Sequence, residues 1–209
     1  YVEGLPDGQK FMDVARRVTR DKPVVAIKSG VTASGSRAVS SHTGSLAGSE
    51  AAYKAAFRQA GVLRATSMEA LFDYARAFAY QPLLQGDRIG IVTNAGGPGI
   101  LATDALEHAD MEITRLSSET TRALTDYLPG AASVGNPVDV LGDALADRYE
   151  HAIRLVLDDP NVEALMVIVT PQAMTEIEKT AHAVGRMAQE SDKPVMGCFM
   201  GEARIEAGI

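Results

Sequence analysis

Apolar positions fall into two kinds of run along this chain. Short continuous runs at 24–28, 88–93, 112–115, 164–170 and 194–200 predict strands. They lack the strict alternation of a half-solvated sheet, and near-continuous apolar strands belong to parallel sheets covered on both faces. Between them the spacing is helical. Segment 9–19 places Phe11, Val14, Ala15 and Val18 on one face. Segments 50–59, 68–78, 99–108, 118–127, 148–157 and 175–189 follow the same rule. Strands alternating with helices predict an α/β fold built from parallel units.

Residues 81–87, with Pro82 and Gly86, read as a linker, so domains are expected at 1–80 and 81–209. There is one internal echo. Asp21-Lys22-Pro23-Val24, leading to Gly30, recurs as Asp192-Lys193-Pro194-Val195, leading to Gly201, at an offset of 171 residues. Each copy follows an amphipathic helix and opens a strand. Carried backwards, the echo aligns Tyr1 with Gln172, just past a strand. The expectation is that the first α/β unit is incomplete and that the chain is an internal fragment.

Composition narrows the class. The 209 residues are 46% apolar and 22% charged, an ordinary globular balance. No run approaches the roughly 18 apolar residues of a membrane span, so no membrane partner is expected. The lone cysteine, Cys198, excludes an intrachain disulfide framework and points to a reducing, cytoplasmic setting. Residues 1–80 hold 11 Lys or Arg against 7 Asp or Glu, and residues 81–209 hold 9 against 20. The overall net charge of −7 argues against a nucleic-acid partner, while the basic first part suits an anion or a charge-complementary domain contact.

Three stretches hold candidate chemistry. Residues 31–49 contain six serines, three glycines and His42, with Arg37 the one formal charge. Small hydroxyl-rich residues can surround an anion and donate to it. An imidazole among them, at Ser41-His42-Thr43-Gly44, is a competent phosphoryl acceptor when a carboxylate such as Glu3 or Asp7 holds its other nitrogen. The alternative is a flexible surface loop. Second, the strand at 88–93 runs into Asn94-Ala95-Gly96-Gly97-Pro98-Gly99 and then a helix, whose N-terminal amides and dipole favour a phosphate. The spacing is neither Walker A nor GxGxxG. Third, Asn136-Pro137 marks a turn after which Asp139 caps a helix or lines a cleft, and residues 170–175 close a strong strand where open α/β sheets face their ligand. His108, His151 and His182 lack ligand spacing, and no metal site is expected.

KPVVAIKSG (22–30), SHTGSLAGSEAAYKAAFRQAGV (41–62), TNAGGPGILATDALE (93–107), GNPVDVLGD (135–143) and TPQAMT (170–175) together resemble the NDP-forming acyl-CoA synthetases, the superfamily of ADP-forming acetyl-CoA synthetase and succinyl-CoA synthetase. The likeness runs along essentially the whole chain. It implies flavodoxin-like, three-layer parallel units. Residues 1–80 would be the C-terminal part of a phosphohistidine domain with connecting helices, and 81–209 a second flavodoxin-like ligase domain. It also implies roles. His42 matches the transiently phosphorylated histidine. Glu3, 39 residues earlier, matches the glutamate that orients it. Ser41, Thr43, Gly44, Asn94, Gly96, Gly97 and Gly99 match the phosphate-binding surroundings.

The implied reaction interconverts acyl-CoA, ADP and phosphate with carboxylate, CoA and ATP through an acyl phosphate and a phosphohistidine. ATP or ADP, Mg²⁺ and CoA are then used by the parent protein through domains absent here, with no cofactor bound by this piece. The implied partners are a CoA-binding domain, an ATP-grasp domain or subunit, and a small carboxylic acid or its acyl-CoA; exposed strand edges also suit a homo-oligomer. The piece alone is expected to be inactive as a ligase, and neither the acyl group nor a preference for ADP over GDP is readable from it. Two other readings remain: the synthetase-like regulatory region of a protein lysine acetyltransferase, and a non-catalytic module binding an anion or acyl-CoA.

Overall fold

The computed structural model describes residues 1–43 and 49–201, in two compact units, Tyr1–Tyr80 and Gln81–Ile209. In the first unit, helix α1 (Gly8–Val18) starts at Asp7, whose carboxylate accepts the Lys10 amide and so satisfies one of the free N–H groups of the first turn. Strand β1 (Val25–Ile27) follows, then α2 (Ala33–Thr43), α3 (Glu50–Gln59), β2 (Leu63–Ala65) and α4 (Met68–Tyr80). β1 and β2 pair in parallel, with Val25 opposite Leu63. Val2 adds a single parallel bridge to Lys28. The core is small: Ala15, Ala26, Tyr53, Phe57, Ala60 and Val62, with the Phe57 ring 5.6 Å from Phe11 and 6.1 Å from Tyr53.

Helix α2 replaces the flexible loop over residues 33–43 of the 31–49 stretch, while residues 44–48 lie outside the described residues. Gly30 turns the chain at φ +70°, and the Thr32 hydroxyl accepts the Gly35 amide at 3.0 Å, which caps the incoming helix. Small side chains then serve close packing rather than freedom. A Cβ on Gly30 would lie 2.7 Å from Val39 Cγ2, and one on Gly35 would lie 3.1 Å from the Gly30 Cα.

The second unit runs β3 (Arg88–Thr93), α5 (Gly96–His108), β4 (Glu112–Ile113), α6 (Ser118–Tyr127), β5 (Val138–Asp139), α7 (Ala146–Asp158), β6 (Ala164–Val169), α8 (Ile177–Glu190) and β7 (Val195–Phe199). The strand order is β4-β3-β6-β7, with β5 also on β3, and every ladder is parallel. Side chains alternate across β3. Gly90 meets Val156 of α7, while Thr93 meets Gly99 of α5, so helices cover both faces. This is the parallel α/β arrangement that the apolar pattern predicts and the flavodoxin-like, three-layer form that the resemblance implies. The core of Val92, Leu124, Val138, Tyr149, Ile153, Val156, Leu165 and Val167 lies on the α7 and α8 face.

The edge beside β3 is a composite. β4 pairs with its first two residues and β5 with its last two. Between them Asn136, before a cis peptide to Pro137, acts as a piece of strand. Its Oδ1 accepts the Ile91 amide at 2.9 Å, and its Nδ2 donates to the carbonyls of Ile89 at 2.7 Å and Thr114 at 2.9 Å. β4 is therefore shorter than the run at 112–115 suggests. The internal echo is real in form: α1–β1 and α8–β7 share the motif, and Gly30 and Gly201 both take positive φ.

Gly90→Ala would place a methyl 2.7 Å from Val156 Cγ1. The expected loss is about 1–3 kcal/mol by denaturant unfolding. Asp159, 1% exposed, closes the turn after α7. Burial pushes its carboxyl pKa up, but hydrogen bonds from Thr120, Asn161 and Ser117 outweigh that and hold it below the ordinary value. A carboxyl depressed in the fold stabilises above its unfolded pKa of about 4, and that contribution fades as pH falls through the lower folded value. Asp159→Asn should cost about 2 kcal/mol at pH 7, with the gap to wild type narrowing below pH 4 in urea titrations.

Candidate functional site

Parallel α/β sheets bind at the C-terminal ends of their strands, where the strand order reverses. In the second unit the chain leaves β3 for β4 on one side and later returns to β6 on the other, so the reversal lies between β3 and β6. Asn94 sits there, 3% exposed. Its Oδ1 accepts the Thr170 amide and hydroxyl, both at 2.9 Å, and its Nδ2 donates to the Thr170 carbonyl at 2.9 Å and the Thr175 hydroxyl at 3.5 Å. The side chain expected to bind phosphate is thus committed to tethering the β6 loop.

The following turn separates the three glycines. The Thr93 hydroxyl accepts the Ala95 amide and donates to its carbonyl, closing the turn. Gly99 is buried, its amide donates to Ala95 at 3.3 Å, and a Cβ there would lie 3.2 Å from Thr93 Cγ2. Its part is to let α5 approach β3, not to donate to a ligand. Gly96 and Gly97 are exposed in the first turn of α5, where amides have no intrahelical acceptor. No side chain caps that end. These two amides and the helix dipole leave the α5 N-terminus able to accept an anion.

Asp139 lines the same crevice. Its Oδ1 accepts the Leu141 amide at 2.9 Å, Leu141 standing at φ +73°. Its Oδ2 lies near Gly96, 3.5 Å from where a Cβ would be. Gln172 approaches Gly142 and donates to the Thr170 hydroxyl at 3.1 Å. Beneath them the buried Tyr149 hydroxyl donates to the Ile168 carbonyl at 2.8 Å, and burial pushes that phenol well above its ordinary range.

In the first unit, Glu3 follows the Val2 bridge at the C-terminal end of β1. Val2 is pinned by its amide to Ile27 and by its carbonyl to Ser29. The Leu5 amide donates to the Tyr53 hydroxyl at 2.9 Å. Ser41 is exposed on α2, and His42 and Thr43 occupy its last turn. The side chains of His42 and Thr43, and all of Gly44, lie outside the described residues. Lys28, a 5% exposed lysine ending an apolar strand run, belongs to none of these motifs. Its Nζ donates to the Ser29 carbonyl and stands 4.6 Å from the Tyr53 ring centroid. Burial lowers its pKa, Glu50 and Glu3 oppose that, and Arg64 adds to it.

The other histidines stand apart from both strand-end clusters. His108 contacts the Asp104 carbonyl at 2.6 Å, His151 stacks on Tyr127 at 3.7 Å, and His182 is 3.9 Å from Glu178. Among the described residues no group of three His, Cys, Asp or Glu side chains could hold a metal, and no helix is long and apolar enough to cross a membrane.

The chain belongs to the Ligase-CoA domain family, whose model matches residues 89–209, and residues 1–78 match the succinyl-CoA ligase like flavodoxin domain. It is 44% identical over 204 residues to the alpha subunit of acetate–CoA ligase [ADP-forming] II of Pyrococcus furiosus, covering 96% of this chain and 44% of that one. It is 37% identical to the 4-hydroxybutyrate–CoA ligase [ADP-forming] of Nitrosopumilus maritimus, covering 96% of this chain and 29% of that one. The dinucleotide forming acetyl-coenzyme A synthetase 1 of Ca. Korarchaeum cryptofilum, solved with phosphate and ADP, superposes with a TM-score of 0.91 at 35% identity, over all of this chain and 46% of that one. The chain therefore spans less than half the length of these relatives.

Asn94→Ala should free the Thr170 amide. Native-state hydrogen exchange should show its protection falling at least tenfold, while amides at the far end of β3 keep theirs.

Proposed function

We propose that this chain is the part of an ADP-forming acyl-CoA synthetase that accepts and relays the phosphoryl group. The observation that carries the reading is the uncapped α5 N-terminus, with its Gly96 and Gly97 amides opening at the switch point of a ligase-family sheet. In the ATP-forming direction, a phosphate oxygen attacks the thioester carbonyl carbon. The C–S bond breaks, CoA leaves with a proton, and an acyl phosphate forms. An imidazole nitrogen of His42 then attacks phosphorus, the P–O bond to the acyl group breaks, and the carboxylate departs. Last, a terminal oxygen of ADP attacks phosphorus, the P–N bond breaks, and His42 is restored.

Each residue has a task in this scheme. Glu3 accepts the N–H of the imidazole nitrogen that does not attack, which fixes the tautomer and supports the positive charge that develops. Ser41, Thr43 and Gly44 are assigned to the phosphoryl group on the histidine, and within the second unit the α5 amides of Gly96 and Gly97 are assigned to bind phosphate. Asn94 and Gly99 hold the crevice in shape. CoA, nucleotide and Mg²⁺ are met by further domains of the parent protein, a CoA-binding domain and an ATP-grasp domain or subunit. The described residues gather no acidic cluster fit for Mg²⁺, so no step is assigned to that ion here. Relatives named for acetate and for 4-hydroxybutyrate share this chain at similar identity, so the acyl group is chosen outside it.

The test is phosphohistidine formation on the full-length protein with radiolabelled ATP and Mg²⁺. Acid-labile, base-stable label is expected. His42→Ala should abolish it, and Glu3→Ala should slow it about a hundredfold. Absence of label on a protein that binds nucleotide favours the regulatory or binding-module readings.

A further inference from the structure

The crevice of the second unit holds a carboxylate with one oxygen still open. Asp139 ends β5, half-buried, beside the first turn of α5. Its Oδ1 accepts the Leu141 amide at 2.9 Å, which fixes the orientation of the group. Its Oδ2 reaches Gly96, 3.5 Å from where a Cβ would stand. Among the described residues no donor meets that oxygen. The other carboxylates of these loops are satisfied. Asp143 pairs with Arg148 at 2.6 Å, and the same guanidinium donates to the Val140 carbonyl. Glu176 pairs with Lys179 at 2.5 Å and accepts the Ala146 amide at 3.3 Å.

A negative oxygen therefore stands beside a helix N-terminus that no side chain caps. For a fully ionised anion the two features oppose each other: the α5 amides attract it, and the carboxylate repels it. For an oxyanion that keeps a proton they agree. Its O–H donates to Asp139 Oδ2 while its bare oxygens accept from the Gly96 and Gly97 amides. Inorganic phosphate keeps one such proton at neutral pH; sulfate, with the same shape and charge, keeps none. We propose that Asp139 is the specificity-determining residue of this turn: it admits monohydrogen phosphate and rejects oxyanions that carry no proton. The inference rests on the reading of the α5 turn as a phosphate site and names the form of phosphate it takes. The proton faces Asp139, and an unprotonated oxygen is left to attack the thioester carbon. A lysine or arginine in this place would bind both anions alike, whereas a carboxylate builds repulsion against the wrong one.

The experiment is equilibrium dialysis of radiolabelled inorganic phosphate against the full-length protein at neutral pH, with arsenate or sulfate as competitor. Arsenate keeps a proton as phosphate does. Sulfate should need about thirtyfold more than arsenate to displace half the label, because a site built to accept from an O–H rejects the analogue without one. A smaller ratio overturns the inference, and this arm needs no variant. Asp139→Asn keeps an oxygen for the Leu141 amide and offers an N–H in place of Oδ2. Sulfate should then compete about tenfold better and phosphate bind about tenfold more weakly. A residue that only shaped the loop would weaken all three anions together, and that result, or an unchanged ratio, overturns the inference. Phosphohistidine labelling separates the two readings. Label on His42 with unselective phosphate binding overturns only the role of Asp139. Selective, Asp139-dependent binding without label overturns the relay and supports the site. No phosphate binding at millimolar concentration overturns the α5 site and this inference together.

Discussion

A parallel strand has backbone groups on both edges that must find partners, and β3 meets that demand with side chains as well as strands. β6 satisfies one edge along its whole length. On the other edge two short strands leave a gap, and the Asn136 amide fills it. At the end of β3 a second amide, Asn94, ties the turn to the loop after β6. Everything at the crevice hangs from these two residues. They fix where α5 begins, where Asp139 stands, and how far the β3 and β6 loops separate. A buried amide with all its partners costs little, while one with a partner missing costs the full desolvation of that group. The geometry is therefore narrowly defined, which is what a site acting through oriented backbone amides requires.

The first unit solves a related problem with fewer parts. Its sheet has two strands and one bridge, and its core is a handful of residues. Order around Glu3 comes instead from specific ties: two backbone hydrogen bonds at Val2, one tyrosine hydroxyl at Leu5, and a buried ammonium beside them. Helix α2, which carries the histidine, is seated by glycines at 30 and 35 that let it come close to the β1 turn. The glycines of this stretch therefore allow α2 to pack close to the β1 turn through Val39. Both units bring their candidate chemistry to the C-terminal ends of parallel strands, as right-handed parallel crossovers dictate.

Much of this was legible in the sequence because burial on both faces leaves an unmistakable apolar run. The strands at 88–93 and 164–169 and most helices followed from that pattern. β2 and β5 did not. Leu63-Arg64-Ala65 and Val138-Asp139 are too short to show a period, and each exists because a neighbouring strand offers an edge. Helix α2 was misread since serine and glycine carry poor helix propensity, and only the Gly30 turn and Val39 contact make the helix pay. For the candidate site, residue type singled out the turn after β3 but not which of its residues are held in packing and hydrogen bonds. Asn94 and Gly99 look like ligand contacts in sequence; in the fold the Asn94 side chain bonds to Thr170 and Gly99 packs against Thr93. Lys28 is a residue inside an apolar run whose placement becomes visible only once Tyr53, 25 positions on, is seen beneath it.

The central claim is that the phosphoryl group rides on the imidazole of His42 and not on the hydroxyls around it. Peptide mapping by mass spectrometry at neutral to alkaline pH, on full-length protein quenched during turnover, tests this most directly. The account predicts a single phosphate on the peptide containing Ser41-His42-Thr43, localised to His42 and released by brief acid. Phosphate localised to Ser41 or Thr43, stable to acid, would contradict it.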